Sequence, residues 1–183
     1  MAEVKKVNTR WDPAAVLAVL VSLLPGLDRW SASAMLAQMG LETGWNGPGC
    51  WNWNLGNISA DPKRWSGDYW VPPWVRDERN SLHKLYLEHK APGAFRAYPD
   101  LASGVRGYVT ALQRYFPEIL AAYRTQDPMT VWKAIRAHYM PDKLSTAKEY
   151  EAFSNWRALL EGKALQVATV AGLPEVPREV PKP

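Results

Sequence analysis

The sequence predicts an α+β fold that is mainly α: a helical domain with a small β-lobe folded beside it. Three observations point there. From Asp100 to Gly162, apolar residues recur at helical spacing between caps and prolines. From Asn46 to Tyr98 that period is absent, and glycine, asparagine, proline and tryptophan crowd the chain. The length of 183 residues, with 47% hydrophobic and 22% charged, suits one domain with a sizeable core.

Taken in order, residues 1–10 are basic and polar and read as a flexible N-terminus. The domain proper is expected over residues 11–162. Asp12 is a good N-cap and Pro13 a good first helical residue for the apolar run Ala14–Leu24, which Pro25-Gly26 ends. Lys5, Lys6 and Arg10 before that run, and Ser31–Ala34 after it, also fit a signal peptide. The cap favours a mature, buried helix instead. The run is too short to span a membrane. Ser31 or Ser33 is expected to cap the next helix, whose apolar face carries Ala32, Met35, Leu36 and Met39. Gly44 and Gly47-Pro48-Gly49 stop it.

Beyond the tryptophan loop, Pro72-Pro73 excludes helix and central strand. Leu82–Leu87 and Ala94–Tyr98 read as strands of the β-lobe, with Asn80-Ser81 near the first turn. Asp100 caps a helix bearing Leu101, Val105, Tyr108, Val109, Leu112 and Phe116. Pro117 starts the next, and Asp127-Pro128 opens another that ends at Pro141. Ser145 opens a last helix with Tyr150, Phe153, Trp156, Leu159 and Leu160. Residues 163–183 carry alternating prolines and read as an extended tail.

The chemistry concentrates between Met35 and Ile58. Glu42 falls seven residues after Met35, on the apolar face and in the last helical turn. The negative end of the helix dipole and partial burial both disfavour its anion. A carboxylic acid still protonated near neutral pH is what a general acid requires. Trp45, Trp51 and Trp53 follow, interleaved with Asn46, Asn52, Asn54 and Asn57. Indole faces stack on sugar rings and amides bond hydroxyl and acetamido groups. The total of 10 tryptophans strengthens that reading, and a formal charge of +4 suits an anionic polymer.

Leu41-Glu42-Thr43-Gly44-Trp45, then Asn54-Leu55-Gly56-Asn57-Ile58, then Phe95-Arg96-Ala97-Tyr98, occur in this order. Together they resemble the glucosaminidase group of the lysozyme-like superfamily, glycoside hydrolase family 73, over roughly Ser31 to Leu160. Two departures are a loop without the aromatic of the family's Asn-Leu-Phe-Gly and a long segment before Phe95. The resemblance implies a lysozyme-like fold and cleavage of a β-1,4 glycosidic bond in peptidoglycan, with Glu42 as general acid. It also implies that the oxocarbenium-like state is stabilised by a second carboxylate on the β-lobe, ~5 to ~9.5 Å from the first by general glycosidase geometry, or by the substrate's own acetamido group. Glu78 or Asp77 suits best by order along the chain, with Asp68 and Glu88 behind them. Trp45, Trp51, Trp53, Asn54 and Asn57 would hold the sugars. Tyr98 would face the cleft. Tyr139 or Tyr150 would supply the groove tyrosine that the family carries between its last two helices.

Other chemistries lack support. No GxxxxGK[ST], GxGxxG or GxSxG motif is present. His83 and His89 stand six apart without a recognised ligand spacing, His138 stands alone, and no metal or other cofactor is expected. Cys50, the lone cysteine, has no evident histidine partner and reads as a bystander. The partner expected is the peptidoglycan glycan strand, with no nucleic acid, no stable membrane insertion and the chain a monomer. Action in the periplasm or at the cell wall, without a clear export signal, implies delivery by a lysis route, a phage particle or a secretion apparatus. The rival readings are a muramidase or lytic transglycosylase on the same fold, a chitinase, and a non-catalytic glycan-binding module of a phage or injection particle.

Overall fold

The computed structural model describes residues 1–46, 49–87, 93–138 and 145–175. It is mainly helical, with one small two-stranded sheet. Helix α1 spans Pro13–Leu23 and α2 Arg29–Thr43. Strand β1, Tyr69–Trp70, and a 3-10 turn, Pro73–Val75, precede α3, Ser81–Leu87. Strand β2 is Phe95–Arg96. Helices α4 (Leu101–Tyr115), α5 (Pro117–Tyr123), α6 (Pro128–His138) and α7 (Thr146–Leu159) follow. A π-turn, Leu160–Ala164, carries α7 into α8, Leu165–Val170.

Helix α2 is the hub. Every residue from Ser31 to Gly40 is buried, and α1, α5, α7, the π-turn and α8 all pack on it. Small side chains at Ser31, Ala32, Ser33, Ala34, Ala37 and Gly40 allow that close approach. The buried hydroxyls are satisfied locally: Ser33 Oγ donates to the Arg29 carbonyl at 2.7 Å and Thr43 Oγ1 to the Met39 carbonyl at 2.7 Å. Asp28, rather than Ser31 or Ser33, is the N-cap. Its carboxylate accepts from Ser31 N at 2.9 Å and from Ser31 Oγ at 2.5 Å. Four other helices start as local chemistry predicts, with Asp12, Asp100, Asp127 and Ser145 each accepting a first-turn N–H.

The β-lobe differs from expectation in one of its strands. Leu82–Leu87 belongs to helix α3, not to a strand. Asn80 decides this: its Oδ1 accepts from Leu82 N at 3.0 Å and its carbonyl from His83 N at 2.9 Å. The partner of β2 is β1 instead, antiparallel, with Tyr69 opposite Arg96 and Trp70 opposite Phe95. Trp70 stacks on Phe95 at 5.0 Å and Trp74 meets the same ring edge-on at 6.2 Å.

Among the described residues, both terminal segments are better anchored than the composition implies, the second as far as residue 175. Residues 1–10, read as flexible, bridge to the body: Val4 N donates to the Tyr69 carbonyl at 2.8 Å, Thr9 N to the Cys50 carbonyl at 3.0 Å and Asn52 N to the Val7 carbonyl at 2.8 Å. Within the span read as an extended tail, residues 165–170 are helical. Ala164, Ala168 and Leu173 are buried, and Arg29 N donates to the Pro174 carbonyl at 2.9 Å. The prolines of that span begin only at Pro174, which leaves residues 165–170 free to be helical and to pack on α2. Pro177, Pro181 and Pro183 lie outside the described residues, as do Glu88, His89 and Pro141. No described helix is long and apolar enough to cross a membrane.

Candidate active site

Glu42 occupies the last turn of α2, immediately before Gly44 takes φ 74° and turns the chain away. The residue is half-buried, but its Oε1 is sealed from solvent and has no hydrogen-bond partner. Burial pushes the carboxyl up to about 7, against a smaller opposing pull from the Asn57 amide. Among the described residues, no like-charged carboxylate contributes to that shift. The acid therefore stands alone among the described residues, raised by its surroundings rather than by a close second acid.

Beneath it lies a buried polar network that sequence reasoning missed. Gln38 Oε1 accepts from the hydroxyls of Tyr108, at 2.7 Å, and of Tyr123. The two hydroxyls lie 3.1 Å apart. Burial and the Glu42 charge both push the Tyr123 phenol up, which places that ring within electrostatic reach of the acid. One signal was present: Gln38 precedes Glu42 by one helical turn.

The loop after α2 is built from unusual backbone. Asn46, Asn52, Trp53 and Asn57 all have φ between 48° and 64°. Asparagine tolerates that region, whereas tryptophan strains in it. Trp53 is held there because Thr9 Oγ1 accepts its N–H at 2.9 Å and because Gly104 of α4 leaves room for its carbonyl. A Cβ at Gly104 would sit 2.1 Å from that oxygen.

The asparagines serve mainly to lock this loop. Asn54, expected to contact sugar, is buried. Its Nδ2 donates to the Ile58 carbonyl at 2.9 Å and its Oδ1 accepts from Ile58 N at 2.8 Å, so neither end of the amide faces a ligand. Asn52 is engaged likewise by Val7 N and the Lys5 carbonyl. Asn57 stays half-buried and ties the loop to α2, donating to the Glu42 carbonyl at 2.5 Å.

Trp45, Trp51 and Trp53 of the loop are each half-buried. Trp45 packs edge-on against Trp11 at 5.6 Å and presses on Gly40. Lys6 Nζ lies 3.7 Å over the Trp51 ring. Tyr98 does not face a cleft. It is 8% exposed, lies against Gly107 of α4, and meets Trp65 edge-on at 5.4 Å.

Asp77 and Glu78 lie in the turn before α3, and neither shares a hydrogen bond or ion pair with Glu42. Asp77 Oδ1 accepts from Arg79 N at 3.1 Å, and Glu78 is exposed. Asp68 is engaged by the N-terminal segment, accepting from Ala2 N at 3.1 Å. Tyr150 is 73% exposed on α7, and Tyr139 lies outside the described residues. Cys50 is buried, and burial pushes its thiol up, away from the thiolate a nucleophile needs. Among the described residues no group of three or more His, Cys, Asp or Glu side chains is placed to hold a metal ion.

Comparisons with protein-family models, with curated proteins and with solved structures found no match to this chain.

Proposed function

We propose that this chain is a lysozyme-like glycoside hydrolase of the bacterial cell wall, an endo-β-N-acetylglucosaminidase in which Glu42 is the general acid. One observation carries the reading: a carboxyl raised to about 7 by burial stands alone at a helix end, beside a loop of half-exposed tryptophans. A protonated carboxyl of that acidity can give its proton to a glycosidic oxygen at neutral pH. Trp45, Trp51 and Trp53 offer ring faces for the flanking sugars.

Among the described residues no second carboxylate is seen to raise Glu42, which supports assistance from the substrate. As Glu42 protonates the leaving oxygen, the C–O bond breaks and the acetamido oxygen of the same sugar bonds to the anomeric carbon. Water then opens that ring and returns a proton to Glu42. On this scheme Asp77 and Glu78 take no covalent part. The site of action would be the wall itself, reached by a lysis, phage or secretion route.

Mass spectrometry of soluble products from purified peptidoglycan, with wild type and Glu42→Gln side by side, tests the proposal. Reducing N-acetylglucosamine ends from wild type alone are expected. Reducing or anhydro-muramic ends would move the enzyme to the muramidase or transglycosylase branch. No products from folded wild type, across several wall types, would sink the hydrolase reading and favour a glycan-binding module.

A further inference from the structure

Arg96 is a nearly buried cation without a carboxylate partner among the described residues. It is 4% exposed. Its backbone N–H donates to the Ile58 carbonyl at 3.0 Å and its Nε to the Ser59 carbonyl at 3.1 Å. Its guanidinium lies 4.7 Å from the centre of the Trp65 ring and 5.6 Å from that of Tyr115. Arg64 and Arg114 approach the same Tyr115 ring, at 5.5 and 5.7 Å. The Tyr115 hydroxyl donates to the Arg64 carbonyl at 3.1 Å, which ties the ring to the loop that supplies Trp65.

Three guanidinium groups thus converge on one aromatic ring. Asp61, 3.7 Å from Arg64 Nε, is the one carboxylate paired with any of them among the described residues. Aromatic faces and a carbonyl offset part of the burial penalty of Arg96, but they do not neutralise it. Like charges gathered this closely repel. Such a cluster is completed by an anion, and arginine is the side chain best shaped to bind carboxylate or phosphate oxygens.

Its position is specific. Ile58 and Ser59, which hold Arg96, directly follow Asn57, which holds the Glu42 carbonyl. The cluster and the acid are anchored on one loop.

We infer that Arg64, Arg96 and Arg114, set around Trp65 and Tyr115, form a subsite for an oxyanion carried by the polymer that Glu42 acts on. The group is a carboxylate or a phosphate, as found on stem peptides or on wall phosphodiester polymers. The inference rests on the proposed hydrolase reading for its substrate, but its test does not depend on turnover.

The test uses the Glu42→Gln protein, so that nothing is cut, with and without Arg64→Gln and Arg114→Gln together. Both arginines are exposed, and thermal melting verifies that the variant folds. Three probes are titrated by calorimetry: neutral chitin oligosaccharide, soluble peptidoglycan strands with stem-peptide carboxylates, and teichoic phosphodiester polymer free of peptidoglycan. The arginine variant is expected to bind one anionic probe about tenfold more weakly, with a shallower salt dependence, and to bind chitin oligosaccharide unchanged. The probe affected identifies the source of the anion. Equal binding of both anionic probes by parent and variant would overturn the subsite. So would an equal loss on the neutral probe, or no binding of either anionic probe by the parent. Selective loss on an anionic probe, together with a wild type that releases no sugar ends, would retain the subsite and discard the hydrolase.

Discussion

The side-chain amide of Asn57 donates to the backbone carbonyl of Glu42 at 2.5 Å, across fifteen positions of sequence. The bond satisfies a carbonyl that the end of α2 would otherwise leave open. It also sets an amide beside the carboxyl, where it partly opposes the upward push of burial. Asn57→Gly removes the amide while keeping φ 48° accessible. The variant should lose about 1–2 kcal/mol of stability and raise the Glu42 carboxyl further. Denaturant melts and the alkaline limb of the activity profile would show both effects. An unmoved limb would remove Asn57 from the control of the acid.

Activity should fall on the alkaline side of neutrality. As the proposed general acid, Glu42 would donate only when protonated, and burial pushes its carboxyl up to about 7. The rate should be independent of this group well below that pH and drop about tenfold per unit above it. Release of sugar ends between pH 5 and pH 9 measures this directly. A rate still rising at pH 9 would exclude Glu42 as the acid.

The same raised carboxyl makes the fold pH-sensitive, with a defined sign. Unfolded, Glu42 titrates near its ordinary value of 4.5, and folded at about 7. Between those values the folded state holds the extra proton. Its stabilisation is complete below about pH 4.5 and is lost as pH rises through about 7, by at most about 3 kcal/mol. Glu42→Gln removes this slope. Urea midpoints at pH 4.5 and pH 8 should therefore diverge for wild type more than for the variant. Equal divergence in the two proteins would refute the assignment.

Two glycines of α4 should be intolerant where a third is not. A Cβ at Gly104 would meet the Trp53 carbonyl at 2.1 Å, and one at Gly107 the Tyr98 ring at 2.3 Å. Gly104→Ala and Gly107→Ala should each cost roughly 2 kcal/mol or more by displacing the loop or the ring. Gly162 has nothing within 4 Å of such a Cβ. Gly162→Ala should be neutral or stabilise by up to about 1 kcal/mol, through loss of chain freedom in the unfolded state. Thermal melts of the three variants rank them, and an equal effect at all three positions would contradict this packing.

What the sequence revealed was what short-range chemistry decides. Asp12, Asp100, Asp127 and Ser145 announce helix starts because each acts within its own first turn. Glu42 was legible because one helical period sets which face it shares with Met35 and Met39. Leu82–Leu87 misled because a short apolar run has no decisive period, and one amide at Asn80 tips it to helix. Asn54 and Tyr98 were of the right types for sugar contact, but only tertiary placement shows the first engaged by Ile58 and the second pressed against Gly107. The arginine cluster joins residues from three separate segments, which no local pattern can foretell.

The extended segment ahead of α1 is also a mechanical element. Its partners Cys50, Asn52 and Asp68 are made between 41 and 66 positions after it, so the nascent chain cannot complete its pairing until β1 has been synthesised. In the folded chain it lies as a clasp over the tryptophan loop, with Lys6 resting on Trp51. Through those bonds the segment is coupled both to the tryptophan loop and, three residues on, to α1, so a change in residues 2–9 is felt at Asn52 and Trp53.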